Sequence, residues 1–148
     1  MMKKLLIILM ILIGGELLLA QGSQVNENST SDNQDSSAYK ILDKIEEGIS
    51  QSNTTIISSY FSPEIYLSLL SSISGYYTSN QAYYVMEDFF KNYKVTAFKF
   101  DKVNLDALTP YAVGTYYFDN KGNRSEAKVY ITIKQIGITW QITQISIN

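Results

Sequence analysis

From residue 94 to the C-terminus, apolar and polar residues alternate with a period of two. In RSEAKVYITIKQ, residues 124–135, the alternate positions are aliphatic: Ala127, Val129, Ile131 and Ile133. Because successive side chains of a β-strand point to opposite faces, this segment is predicted to be a strand with one buried and one solvated face. Such a strand belongs to an antiparallel sheet, whose apolar face needs a covering layer.

Two more strands are predicted in this region, and the second of them leads into a hairpin turn. In KVTAFKFDKV, residues 94–103, valine and alanine occupy one parity of the two-residue period and two phenylalanines occupy the other. YAVGTYYF, residues 111–118, leads into DNKGN, residues 119–123, a run of turn-forming residues. The strand over 124–135 follows that turn, so these two strands are predicted to pair as a hairpin.

The last segment, ITWQITQISIN (residues 138–148), changes phase. Trp140 and Ile142 share one parity of the two-residue period, whereas Ile145 has the opposite parity. One inserted residue near 143–144 accounts for the change, so we expect a β-bulge there. A bulge bends a strand, and a long bent strand suits a sheet that curves around a helix.

The segment before residue 94 has the period of a helix. In GYYTSNQAYYVMEDFFKNY, residues 75–93, Thr78 and Gln81 match the T-x-x-Q capping box, in which each side chain binds the other residue's backbone N–H. Five apolar residues share an arc about 80° wide when drawn at 100° per residue. We interpret them as core: Ala82, Met86, Phe89, Phe90 and Tyr93.

Two shorter helical patterns come earlier in the chain. Residues 38–49 place apolar side chains at helical spacing, with Ser36 or Ser37 as the N-cap. SNTTIISSYFS, residues 52–62, is predicted to be a short helix capped by Asn53.

A strand, EIYLSLLSS over residues 64–72, links these helices to the aromatic one, with Gly75 as the turn point. The predicted order is two helices, a strand, a long helix and four antiparallel strands. Helices segregated to one face of an antiparallel sheet make an α+β fold.

The N-terminus has the pattern of a secretory signal peptide. Two lysines among the first four residues precede an apolar run over residues 5–13, and small residues allow cleavage after Ala20 or Gly22. The alternative is a membrane anchor, but Glu16 interrupts the run before the roughly 20 apolar residues that a span requires.

Three segments are therefore expected: a signal peptide over 1–22, a flexible polar linker over 23–37, and one folded domain over 38–148. The linker is nearly all Ser, Asn, Gln, Asp and Glu, which cannot bury enough apolar surface to offset ordering entropy. The predicted location is outside the cytoplasm, in the periplasm of a Gram-negative bacterium or in the medium, with no membrane span after cleavage.

Composition excludes several chemistries. The chain has no histidine and no cysteine, which removes thiolate and histidine metal sites, catalytic triads and Cys-His nucleophile pairs. Its formal net charge is -2, and its basic residues are scattered rather than clustered. We therefore expect no metal, no cofactor and no nucleic-acid partner.

Three motifs together resemble a known family. GYYTSNQAYYVMEDFF, the YAVGTYYFDNKGN hairpin and the terminal W-x-I-x-x-I-x-I pattern are similar to an uncharacterised family of small exported bacterial proteins. That family belongs to the nuclear transport factor 2-like (NTF2-like) superfamily. The resemblance covers about residues 39–148 and implies a cone of curved antiparallel sheet around a long helix, with two further N-terminal helices. It implies no activity.

Other members of the superfamily bind small apolar molecules in the cone, and some are isomerases or dehydratases. Such enzymes need an acid or base that points into the cavity. Asp101 is the one strand carboxylate whose parity leaves this open, although it shares a face with Lys99. The pocket candidates are amphipathic or aromatic residues expected near the cone's mouth: Tyr116, Phe118 and Trp140.

Three functions stay open at this point. The leading one is an exported, non-catalytic domain that binds a small apolar ligand or an envelope protein. The second is an isomerase or dehydratase that uses cavity tyrosines and Asp101. The third is a structural homodimer or accessory subunit, paired through an outer sheet face that includes Tyr117 and Tyr130.

Overall fold

A computed structural model describes residues 27–148, with side chains at Asn33 and from residue 35 onward. The predicted signal peptide over 1–22 and the first residues of the predicted linker lie outside the described part. Within it, helices and strands follow in this order: α1 (Glu27–Ser50), α2 (Thr54–Ser58), β1 (Phe61–Leu69), β2 (Ile73–Thr78), α3 (Ser79–Asn92), β3 (Lys94–Asn104), β4 (Tyr111–Asn120), β5 (Asn123–Ile136) and β6 (Thr139–Ile147).

The six strands form one sheet in the order β2-β1-β6-β5-β4-β3. Neighbouring strands are antiparallel except β1 and β6, which run parallel. The α+β class is confirmed, but the sheet is mixed rather than wholly antiparallel. Alternation along a strand reports which face is buried and carries no information about the direction of the neighbouring strand.

The β1–β2 hairpin corrects the prediction for residues 64–78. The chain turns at residues 70–72, where Ser72 has a φ of 63°. Gly75 lies inside β2, opposite Leu67, and is not the turn point. The strand β2 was missed because a glycine in a short segment interrupts the strand pattern and is usually a sign of a turn.

The helix α3 forms as its sequence predicts. Thr78 and Gln81 make the reciprocal capping box at its N-terminus. The predicted inward stripe is buried at Ala82, Met86, Phe89 and Phe90. Capping determines where the helix begins, and the apolar stripe determines which side meets the sheet.

The helix α1 begins at Glu27 rather than near Ala38. Residues 27–37, predicted as part of the flexible linker, continue the helix instead, and Asp35, Ser36 and Ser37 are exposed on it. Once the amphipathic segment has nucleated a helix, each further residue adds a hydrogen bond at little cost, even without burial. The division into signal peptide, linker and domain remains a prediction.

The C-terminal end of α1 covers the edge strand β3. The Glu46 carboxylate accepts a hydrogen bond from the backbone N–H of Phe100 at 2.8 Å. The Ser50 hydroxyl donates to the carbonyl of Phe98 at 3.1 Å. Unpaired backbone groups on a sheet edge can recruit another strand, so these side chains protect this edge.

Two local features of the C-terminal strands match their sequence. The β4–β5 turn has positive φ at Lys121 (53°) and Gly122 (84°), as tight hairpin turns require. The pairing of β5 with β6 shifts between Thr132 and Ile133, which leaves Thr143 as the extra residue of a bulge. The predicted bulge is confirmed.

The close approach of β3 and β4 explains why the YAVG segment ends in a glycine, Gly114. A Cβ atom built at this position would lie 2.5 Å from the Lys99 carbonyl oxygen and 2.8 Å from Cε2 of Phe98. The phenylalanine ring occupies the space over the glycine, so β3 and β4 can approach closely only if residue 114 lacks a side chain.

Candidate functional site

The inside of the sheet, where the sequence predicts a ligand pocket, is filled by aromatic side chains. Tyr116 is completely buried. Its ring lies 5.9 Å from that of Phe89, 6.4 Å from that of Phe98 and 5.7 Å from that of Phe118. Its hydroxyl donates a hydrogen bond to the carbonyl of Tyr93 at 2.5 Å. Tyr116 and Phe118 are thus part of the core.

Burial raises the pKa of the Tyr116 phenol, because the charged phenolate would lose its hydration. The hydroxyl is therefore a neutral hydrogen-bond donor with a structural partner, the carbonyl at the end of α3. A tyrosine that acts as an acid in catalysis needs access to substrate, and this ring is 0% exposed.

Trp140 lies at a different place from the other two pocket candidates. It pairs with Gln135 near the start of β6 and packs, partly buried, against the core. Its indole Nε1 is buried and has no hydrogen-bond partner among the described residues. The structure therefore does not bring Trp140 together with Tyr116 and Phe118 in one pocket.

Asp101 lies on the outer face of the sheet, away from the helices. Its carboxylate accepts a hydrogen bond from the Thr115 hydroxyl at 2.9 Å and pairs with the Lys128 ammonium at 3.6 Å. The Asp101 side chain is 54% exposed. A hydrated, paired carboxylate outside the cone does not have the inward, desolvated position that the enzyme hypothesis needs.

The outer face also carries the predicted row of tyrosines. Tyr111 and Tyr130 stack with their ring centroids 5.3 Å apart, and the Lys102 ammonium lies 5.9 Å from the Tyr111 ring. Tyr117 is 45% exposed. Hydrogen bonds from Asn104 and Lys102 lower the pKa of the Tyr111 phenol. This face is an exposed, partly aromatic surface.

An open cleft of about 720 Å³ lies elsewhere in the described part of the chain. The last turn of α3 and the start of β3 form one side of this cleft. Residues 119–121 of the β4–β5 hairpin and Ser71 of the β1–β2 turn complete it. We call it the α3-end cleft. Its volume falls within the range of about 300 to 1,000 Å³ that is usual for small-molecule sites.

Charged residues line the α3-end cleft: Asp88, Lys91, Lys94, Asp119 and Lys121. The Lys91 ammonium pairs with Glu87 at 3.0 Å. Among residues whose side chains are described, Lys94 and Lys121 form no ion pair.

The two aspartates of the cleft already have hydrogen-bond donors. An Asp119 oxygen accepts from the backbone N–H of Gly122 at 2.7 Å, which closes the hairpin turn. An Asp88 oxygen accepts from the Asn92 amide at 3.3 Å. Both carboxylates stay charged and lie in the same cleft as the lysines, but neither forms an ion pair with Lys94 or Lys121.

The sequence analysis did not find this cleft. Its residues come from three turns that are far apart in the chain, and no motif links them. One signal was available: the hairpin predicted over 111–135 and its neighbouring strand at 94–103 bring Lys94 opposite Asp119. If the register between these strands had been fixed from the sequence, the pairing of Lys94 with Asp119 would have been predicted.

The described residues hold no group of three or more His, Cys, Asp or Glu side chains that could bind a metal ion. Nor does any helix in this part of the chain have the length and apolar character needed to cross a membrane.

Comparison with known proteins identifies the family. Residues 42–148 match the family described as Domain of unknown function (DUF4783). The chain belongs to the DUF4783 family. A search of curated proteins finds no match to the chain.

Solved structures show the fold of this DUF4783 protein. A DUF4783 protein from Bacteroides ovatus is 19% identical, with a TM-score of 0.63, over 70% of this chain and 90% of that one. One from Bacteroides uniformis is 18% identical, with a TM-score of 0.65, over 72% and 94%. An NTF-2 like protein of unknown function from Shewanella oneidensis is 12% identical, with a TM-score of 0.53, over 77% and 98%. The NTF2-like fold implied by the resemblance is confirmed.

Proposed function

We propose that this DUF4783 domain is a non-catalytic binding domain. One observation supports this most: the cone interior is occupied by its own rings, while the α3-end cleft is open. An apolar ligand inside the cone would have to displace Tyr116 and Phe89, which are almost completely buried. The cleft therefore replaces the cone's interior as the preferred site of binding, and its lining favours a polar ligand over the apolar one predicted from the sequence.

The chemistry of the cleft supports binding rather than catalysis. General acid–base catalysis relies on a group whose pKa is shifted by burial or by a nearby charge. Asp88 is exposed and is hydrogen-bonded to its own helix, and Asp119 serves the hairpin turn. Neither carboxylate is buried, and both suit a site that orients a polar molecule.

Native mass spectrometry of the protein purified from its own host tests this proposal. A retained small molecule should appear as a mass increment. The variant Asn120→Trp should fill the cleft and abolish the increment, whereas Glu126→Trp on the outer face should keep it. If no increment appears and no small molecule restores one, the binding proposal is wrong.

The enzyme hypothesis has its own test. Isomerase or dehydratase turnover that Asp101→Asn abolishes would replace the binding proposal, because Asp101 contributes nothing to the α3-end cleft. We expect Asp101→Asn to leave the retained ligand unchanged.

A structural homodimer is the second candidate, and the outer tyrosine face is what favours it. The stacked pair Tyr111 and Tyr130 lies on the sheet face opposite the helices, where aromatic area is available to a second copy. Light scattering after size-exclusion chromatography would show a dimer that Tyr130→Asp converts to monomer. A monomer at all tested concentrations would exclude it.

We also propose that the protein is exported from the cytoplasm by means of a cleaved signal peptide. The apolar run over residues 5–13 and the small residues after it support cleavage by a signal peptidase. N-terminal sequencing of the protein from the envelope or medium should begin at Gln21 or Ser23. Intact Met1 in the envelope fraction would favour a membrane anchor instead.

A further inference from the structure

We propose that the α3-end cleft binds a small organic oxyanion, a carboxylate or phosphate ester joined to an apolar body. The inference rests on the proposed binding function and specifies its ligand class. It follows from three properties of the cleft: two lysines without ion-pair partners, carbonyls at the end of α3 that have other donors, and the half-buried side chains of Tyr93 and Val95 in the lining.

Three lysines and two aspartates line the cleft, and two of the lysines have no ion-pair partner among the described side chains. Lys94 lies directly opposite Asp119 in the β3–β4 ladder, yet these two side chains form no ion pair. Asp119 instead accepts the Gly122 N–H that closes the turn. Lys121 follows in that turn and also has no ion-pair partner among the described side chains. Two ammonium groups are thus available at one cleft, and they are the groups that an oxyanion needs.

Lysines at the end of a helix often bind its carbonyls, and here three of the carbonyls in this region have other donors. The carbonyl of Asp88 accepts from the Asn92 amide at 2.9 Å, and that of Phe89 from the Tyr93 N–H at 2.9 Å. The Tyr93 carbonyl accepts from the Tyr116 hydroxyl. These carbonyls have partners, so Lys94 and Lys121 are not required as caps for them.

The remaining wall of the cleft is suited to an organic body rather than a bare ion. Tyr93 and Val95 are half-buried and contribute aromatic and apolar surface, while Thr96 and Asn120 add hydrogen-bonding groups. In small-molecule sites, polar groups orient the ligand while apolar side chains contact its body. A ligand with one anionic end and an apolar end uses both parts.

Titration of the purified protein with matched probes tests the inference, using isothermal calorimetry and amide chemical shifts. Benzoate and phenyl phosphate share an apolar ring and differ in the anion. Benzyl alcohol is the neutral control, and inorganic phosphate lacks the apolar body. We expect one or both aromatic anions to saturate, to bind more tightly than inorganic phosphate, and to shift the amides of Lys94, Thr96 and Lys121. Benzyl alcohol should not saturate. The stronger of the two anions identifies the ligand's head group.

Charge-removing variants distinguish binding at the cleft from general electrostatic attraction to the protein. Lys94→Gln combined with Lys121→Gln should weaken the anion by at least about tenfold, since each charge-assisted hydrogen bond contributes about that factor or more. Lys99→Gln combined with Lys134→Gln is the matched control. Both are exposed lysines outside the cleft, so the net charge changes equally and the affinity should be nearly unchanged.

Three results would overturn the inference. They are no saturable anion binding up to about 10 mM, which is tenfold weaker than a millimolar dissociation constant; equal binding of benzyl alcohol; and equal loss in both double variants. If these occur while host-purified protein still carries a mass that Asn120→Trp removes, only the anionic ligand class is wrong. If that mass is also absent, the binding function fails as well.

Discussion

Replacing Phe89 by alanine tests the packing that closes the cone. Phe89 is 2% exposed, and its ring lies 4.9 Å from Tyr93, 5.9 Å from Phe90 and 5.9 Å from Tyr116. Removing the ring forfeits the free energy gained by transferring it from water to the core. It also leaves a cavity among the neighbouring aromatic rings. Phenylalanine-to-alanine changes in such sites cost about 3 to 5 kcal/mol.

Urea unfolding followed by tryptophan fluorescence measures this free energy, because Trp140 is the single tryptophan of the chain. For a domain of this size, each kcal/mol lowers Tm by about 4 °C, so the expected decrease is about 12 to 20 °C. Tyr84→Ala is the matched control: it removes an aromatic ring from the same helix, but Tyr84 is 61% exposed. It should cost less than about 1 kcal/mol.

A small loss of stability would contradict the packing described for the cone interior. A loss below about 1 kcal/mol, equal to the Tyr84 control, would mean that the ring contributes little to the core. The proposed filling of the cone interior would then be wrong, and an apolar ligand inside the cone would become the better hypothesis.

Three further predictions test other contacts. Gly114→Ala should destabilise the domain by about 1 to 3 kcal/mol in urea unfolding, because the added methyl would meet the Lys99 carbonyl oxygen 2.5 Å away; wild-type stability would disprove this packing. The raised pKa of Tyr116 means that the folded state keeps its proton while the unfolded phenol ionises near about 10. Stability should therefore be complete below that pH and decrease above it, and Tyr116→Phe should remove this part of the pH dependence; an unchanged alkaline profile would contradict burial as its cause. Glu46→Ala should cost about 1 to 3 kcal/mol by leaving the Phe100 N–H without its partner, and a Glu46→Gln variant of nearly wild-type stability would show that the acceptor, rather than the charge, is needed.

Local patterns predicted much of this fold because their physical cause is local. The capping box at Thr78 and Gln81 involves residues three apart, and the turn at Lys121 and Gly122 depends on backbone conformations that few residues adopt. The bulge at Thr143 shows in a change of parity within one strand. Each of these is decided by neighbours in sequence.

The sequence also indicated the family, since its motifs combine such local features in a fixed order. It did not show the direction of pairing between β1 and β6, and it missed β2. Parallel and antiparallel neighbours bury the same alternating faces, so the pattern along one strand does not distinguish them.

For the candidate site, residue type alone was misleading. Tyr116 and Phe118 have the side chains of a binding pocket, yet they fill the core because the curved sheet turns them toward α3. Asp101 lies outside, at an irregularity between Phe100 and Lys102 where the strand register shifts. Its carboxylate lies beside Thr115, the ladder partner of Lys99, so Asp101 and Lys99 lie on the same face, as their shared parity indicates.

The sequence by itself determined the helices, most strands, the apolar stripe of α3 and the turn chemistry, because each depends on interactions within a few residues. Only the tertiary structure decided which rings fill the interior, where open space remains, and which lysines have no partner. The cleft joins the end of α3 with the turns at Ser71 and Lys121. Its charge balance depends on distances between segments that are remote in the chain, and those distances exist only once the sheet has curved around the helix.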